Sequence, residues 1–130
     1  MKEREENRKR KAGFTLVELL VVITILGILG AVAVTNVIGH LEQSRITATR
    51  TSIAEIEKAV QIFAMGHNGK LPDSLDELTQ GTDDNPALLK SGSLADAWGV
   101  EFGYSKRGKT FTITSAGPDG EMGSGDDLTN

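Results

Sequence analysis

The 130-residue sequence contains no cysteine, which excludes both a disulfide and a thiol nucleophile. Stability must come instead from packing, a bound ion or neighbouring subunits. Histidine is scarce: His40 and His67 stand alone, with no metal-ligand residues at suitable spacing, and read as surface or helix-end residues. There is no Ser/His/Asp set, phosphate-binding loop or pair of acid/base carboxylates in an apolar setting, which argues against an enzyme. Positive charge is also missing from most of the chain. The net charge of −4 divides into +3 over residues 1–13, which hold six Lys/Arg against three Glu, and −7 over the rest. An acidic body repels a phosphate backbone, and the basic segment is too short to be a nucleic-acid-binding domain. No nucleic-acid partner is expected.

Residues 14–34 read FTLVELLVVITILGILGAVAV, and their only ionisable side chain is Glu18. As a helix this run would span about 31 Å, against about 30 Å of bilayer hydrocarbon. Lys2, Arg4, Arg8, Lys9, Arg10 and Lys11 precede it, so the positive-inside rule keeps the N-terminus cytoplasmic and sends the body across the membrane. An ordinary signal anchor fits this pattern. So does a cleaved secretory signal, for which Ala31, Val32 and Ala33 supply a small-x-small site. Neither explains Glu18, because a carboxylate inside an apolar helix is costly without a partner. A cut after Gly13 would supply one: the new α-amino group of Phe14 lies one helical turn from Glu18. The amine of an adjacent chain could serve equally, and would set the register between two packed helices.

The run Lys11, Ala12, Gly13, Phe14, Thr15, Leu16, Val17, Glu18 resembles the prepilin signature of type IV pilins and type II secretion pseudopilins. The resemblance implies cleavage between Gly13 and Phe14 by a prepilin peptidase, N-methylation of Phe14, and a neutralising role for Glu18 in assembly. Gly27 falls where these families often carry a helix-weakening glycine. Thr35 departs from the pattern, since a proline is common there, and how far residues 27–35 melt in a filament stays open.

Beyond Thr35, Ile38, Leu41, Ile53, Ile56, Val60 and Phe63 continue one helical stripe, with Arg45 and Ala48 or Thr49 at the intervening steps. Glu42, Gln43, Arg50, Glu55 and Lys58 take the opposite face. One helix is predicted from residue 14 to about residue 64, stopped by Gly66, Asn68 and Gly69. Ser74 and Glu77 have capping-box spacing for a short helix presenting Leu75 and Leu78. Asn85 and Pro86 predict a second helix ending near Gly92. Phe102 and Tyr104 face Phe111 and Ile113 across a predicted hairpin that turns at Lys106, Arg107, Gly108 and Lys109. Trp98 reads as a core anchor.

Residues 117–130, GPDGEMGSGDDLTN, crowd Asp119, Glu121, Asp126 and Asp127 among glycines. They read either as a frayed acidic tail or as a loop curling carboxylates around a hard cation such as Ca²⁺, though not as an EF-hand. The segment Asp96, Ala97, Trp98, Gly99, followed by Phe102, Gly103, Tyr104, resembles the D-P-W-G-x-x-Y-x-Y segment of the type II secretion major pseudopilin, with Ala97 in place of proline. Ser115, Ala116, Gly117, Pro118, Asp119, Gly120 resembles its S-x-G-x-D-G loop. That resemblance implies a calcium ion held by Asp119, Asp126 and Asp127, with the carbonyls of Ala116 and Ser124.

The expected fold is α+β and type IV pilin-like, with a long N-terminal helix packed on a small antiparallel sheet. The expected organisation is a cleaved leader over 1–13, a transmembrane and assembly helix over 14–36, and a periplasmic domain over 37–130. The resemblance implies an inner-membrane, single-pass subunit of a secretion pseudopilus that self-assembles into a filament and drives export of folded proteins. Its implied partners are the prepilin peptidase, the inner-membrane assembly platform and minor pseudopilins. A type IV pilus subunit for adhesion, motility or DNA uptake is the alternative, and a simple membrane-anchored binding domain a third.

Overall fold

The computed structural model describes residues 13–130. Helix α1 runs over Leu16–Gly66 without a break. Gly27 and Gly30 lower helix propensity but do not interrupt it, and Thr35 donates its hydroxyl to the Val32 carbonyl at 2.9 Å instead of kinking the backbone. The helix stops where expected. Asn68 and Gly69 turn left-handed, with φ of 55° and 81°, and the Gly69 N–H donates to the Ala64 carbonyl at 2.7 Å.

The chain divides into two units, Met1–Ile38 and Gly39–Asn130. In the first, every described residue is exposed, including Leu16, Leu20, Ile23 and Leu26. Apolar side chains all round a helix need a non-aqueous or protein environment. Among the described residues, this helix is long and apolar enough to cross a membrane.

In the second unit, Thr49, Ile53, Ile56, Ala59 and Val60 form the buried stripe. Between the two options at the 48–49 step the fold takes Thr49 and leaves Ala48 exposed, and Arg45 is exposed as well. The helical stripe packs into one core with Leu71, Leu75, Leu78, Phe102 and Ile113. The sheet is antiparallel in the order β1-β2-β3, with β1 over Gly103–Arg107, β2 over Thr110–Ser115 and β3 over Leu128–Thr129. This is the expected α+β, pilin-like arrangement.

Four local expectations are corrected. Arg107 pairs with Thr110, so the hairpin turns on Gly108 and Lys109 alone, while Lys106 and Arg107 belong to β1. Positive φ at Gly108 but not at Lys109 is the pattern of a type II′ turn, whose twist suits the flanking strands. Leu75–Leu78 is a single 3₁₀ turn in which Ser74 makes no side-chain cap, and Glu77 instead accepts from the Asp73 N–H at 3.0 Å. Leu75 and Leu78 are nonetheless buried, as expected. Asn85 and Pro86 start no helix. The N–H groups of Leu88 and Leu89 both donate to the Leu78 carbonyl at 2.9 Å, and the chain passes so near Gly81 that an added Cβ would meet the Ala87 nitrogen at 2.8 Å. A 3₁₀ turn forms later, at Ser91–Leu94. Trp98 lies outside the core, half-buried, and its indole N–H donates to Glu42 at 3.2 Å.

Candidate functional site

The N-terminal site starts in non-helical backbone. Gly13 and Phe14 precede the first helical residue, nothing lies within 4 Å of a Cβ placed on Gly13, and Phe14 is 87% exposed. The bond between them therefore lies outside the helix, beside an exposed side chain. Residues 1–12, which hold the basic leader, lie outside the described residues. Thr15 and Glu18 form a capping box: the Thr15 N–H donates to Glu18 Oε2, and the Glu18 N–H donates to Thr15 Oγ1, each at 3.2 Å. Thr15 was not among the expected site residues. Its signal, Thr-x-x-Glu ahead of an apolar run, is present in the sequence.

The C-terminal site is a loop between β2 and β3. Both of its ends are tied to the sheet: Ser115 pairs with Leu128 and Thr114 with Thr129, and Asn130 Oδ1 accepts from the Ile113 N–H at 2.8 Å. That closure brings one carboxylate oxygen from each of Asp119, Asp126 and Asp127 within 4.8 Å of one another. Gly117 makes the closure possible. It sits at φ +72°, and an added Cβ would lie 2.3 Å from the Asp126 carbonyl oxygen, so no other residue allows the two backbones to approach this closely.

Hydrogen bonds orient each carboxylate. Asp119 accepts from the Glu121 N–H at 2.9 Å, and Asp127 accepts from the Gly123 N–H at 2.7 Å. The Ser124 hydroxyl lies 2.5 Å from Asp126 and 3.2 Å from Asp127. The same hydroxyl, although its shortest contacts are to those two, and then the Glu121 N–H, hold the Asp119 carboxyl below the ordinary range. Of the two expected carbonyl donors, Ala116 is buried and Ser124 half-buried. Three convergent carboxylates in an all-oxygen setting, cradled against a glycine, suit a hard divalent cation. Glu121 takes no part in the cluster.

The other residues considered for chemistry are placed apart from this loop. His67 closes the helix end, with Nδ1 2.8 Å from the Phe63 carbonyl and its ring stacked on Phe63 at 3.9 Å, which puts the proton on Nδ1. A cleft of about 650 Å³ beside it is lined by Ile62, Met65, Pro86 and Leu88, with His67 and Glu77 as its titratable groups.

An exposed Gly-Phe junction, an apolar helix with a capped Glu in its first turn, and a small antiparallel sheet define the type IV pilin-like class of filament subunits. Residues 8–34 match the prokaryotic N-terminal methylation motif, and residues 36–130 match the type II secretion system (T2SS), protein G, family. The chain belongs to the type II secretion system protein G family. It is 32% identical to the type II secretion system core protein G of Escherichia coli K12, over 93% of this chain and 91% of that one. It is 32% identical to the Pseudomonas aeruginosa core protein G, over 92% of each chain, and 30% identical to that of Vibrio cholerae, over 94% of this chain and 92% of the relative. No solved structure matches.

Proposed function

We propose that this chain is the structural subunit of a type II secretion pseudopilus, and that its role is mechanical. The precursor sits in a bacterial inner membrane through residues 14–36, with residues 37–130 in the periplasm. A prepilin peptidase cuts after Gly13, and Phe14 is methylated. The mature chain then joins its own copies, with the assembly platform and minor pseudopilins, in a filament that pushes folded proteins outward. The observation carrying this reading is the tandem of a methylation motif over residues 8–34 and a protein G body over residues 36–130 in one chain. In assembly, Glu18 offers its carboxylate to the Phe14 amine of its own or an adjacent chain.

The acidic loop belongs to the same reading. Asp119, Asp126 and Asp127, with the carbonyls of Ala116 and Ser124, hold one calcium ion. Its two positive charges offset three crowded carboxylates and so keep the loop closed on β2.

Deleting the chain from its host tests the function. Folded secretory proteins should vanish from the medium and collect in the periplasm. Normal secretion with loss of surface fibres, adhesion or motility would instead identify a pilus subunit.

A further inference from the structure

Among the described residues, the buried polar side chains are Thr49, Asp96 and Ser115. Asp96 is 7% exposed and Ser115 fully buried, and they are joined by the Ser115 hydroxyl donating to Asp96 Oδ2 at 2.6 Å. The other carboxylate oxygen, Oδ1, accepts from the N–H groups of Trp98 and Val100, both at 3.0 Å. An acceptor-only group thus meets three donors. A neutral side chain could close the Asp96 turn at a smaller desolvation cost, so a buried charge here calls for a reason beyond turn formation.

The neighbours on each side suggest that reason. Ser115 Oγ, its proton committed to Asp96, accepts from the Gly117 N–H at 3.2 Å. Gly117 is the residue pressed against the Asp126 carbonyl, and Ala116, between the two, carries one of the proposed ligand carbonyls. On the other side, the Ala97 N–H donates to Thr49 Oγ1 and the Trp98 indole to Glu42, both at 3.2 Å and both on α1. The centre of this network, Asp96 with Ser115 and Gly117, is buried and its links to α1 are part-buried; with every member satisfied, such a network is stiff.

We propose that Asp96 and Ser115 are positioning residues for the acidic loop, and that the strut they form transmits occupancy of that loop to Trp98 and the helix at Glu42. This rests on the calcium reading above. Ser115 locks the Ala116–Gly117 backbone so that the ligand oxygens stay convergent, and Asp96 fixes the direction of the Ser115 hydroxyl. A cation that tightens the loop pulls on the same bonds, and Trp98 lies at their far end.

Trp98 is the sole tryptophan, so its emission reads this relay directly. Calcium chloride is titrated into the full chain in detergent micelles, followed by calorimetry, Trp98 fluorescence and the calcium-induced rise in Tm. In the unmodified chain the emission change should saturate together with the calorimetric isotherm. Ser115→Ala should weaken calcium binding roughly tenfold, the low end of the loss typical when a residue that orients metal ligands is removed. It should also shrink the calcium-induced rise in Tm and blunt the Trp98 response. Asp96→Asn, which keeps an acceptor toward Trp98 and Val100, should fold and show the same three losses. A merely structural role would lower Tm in chelator and leave the calcium-induced rise intact. Wild-type affinity in both variants overturns the proposal, as does Trp98 emission indifferent to calcium that calorimetry detects. Absence of binding in the unmodified chain overturns the calcium site itself and this role with it, a result seen before any variant is compared.

Discussion

Thr15 and Glu18 hold each other's backbone N–H at the start of α1, each bond 3.2 Å long, so the helix carries its own cap two residues beyond the Gly13–Phe14 bond. Glu18 therefore has two separable properties, an acceptor that caps and a charge that can pair. Glu18→Ala removes both, whereas Glu18→Gln keeps the cap, since glutamine serves at the same position of a capping box. Both variants should insert in the membrane at least as well as the unmodified chain, because insertion gains from losing a carboxylate. Both should fail to assemble filaments if the charge pairs with the Phe14 amine. Filament yield by electron microscopy and membrane flotation check this, and normal yield from Glu18→Gln would reduce Glu18 to a cap.

Processing makes a sharper statement about mass. The mature chain should start at Phe14 and carry one added methyl group, because the exposed Gly13–Phe14 junction precedes the helix and follows a basic leader. Intact mass spectrometry decides it. A start at Val34 would restore the secretory-signal reading, and retention of Met1 a plain anchor.

The ion pair between Lys106 on β1 and Asp73 predicts a shallow pH dependence. The Lys106 ammonium, bonded to Asp73, lowers the carboxyl's pKa, and that bond raises the pKa of Lys106. The Asp73 contribution is present at neutral pH and lost as the pH falls through its depressed pKa, below the ordinary value of about 3.9. The Lys106 contribution is present below the ordinary lysine value of about 10.4 and lost as the pH rises through the raised one. Both groups are solvent-screened, so Lys106→Met should lower Tm at pH 7 by no more than about 5 °C. The difference should narrow as the pH falls through the depressed pKa of Asp73 and shrink with added salt. Equal differences at all pH values would assign the effect to packing of the lysine stem.

Long-range periodicity and fixed-spacing motifs were legible in the sequence; short-range choices between competing hydrogen bonds were not. The stripe through Ile53, Ile56, Val60 and Phe63 repeats often enough to specify a face, and the helix end was marked by residues that accept positive φ. Ser74 and Glu77 had capping-box spacing, but Glu77 turned to the Asp73 N–H, and the box formed instead at Thr15 and Glu18. Spacing alone ranks these two equally. The apolar helix that follows Thr15 favours the second. Asn85 and Pro86 failed as a helix start because the Leu78 carbonyl claims two amides from farther along. Strand β3 has two residues, too few for any alternation to register. Trp98 was expected inside the core because of its size, and its indole N–H drew it to the acceptor on Glu42. Asp119, Asp126 and Asp127 were named as a set from resemblance, and the structure brings their carboxylates within 4.8 Å of one another.

Calcium removal should loosen the body. Asp119, Asp126 and Asp127 place carboxylate oxygens within 4.8 Å of one another, and among the described residues none of the three forms a salt bridge that would offset their mutual repulsion. With chelator the loop should splay from β2 and weaken the short pairing of Leu128 and Thr129. An ion that binds only the folded state stabilises it by RT ln(1 + [L]/Kd), so calcium at about a hundredfold over Kd adds roughly 2.7 kcal/mol. That is a large share of the roughly 5–15 kcal/mol of a typical domain, and a chelator should lower Tm of the full chain in micelles by several degrees. Asp126→Ala should melt like the chelated chain and respond little to added calcium. Gly117→Ala should be worse, since its Cβ would sit 2.3 Å from the Asp126 carbonyl oxygen and force the loop open from the other side. Identical melting of the unmodified chain in excess calcium and in chelator would leave the loop a plain acidic connection between β2 and β3.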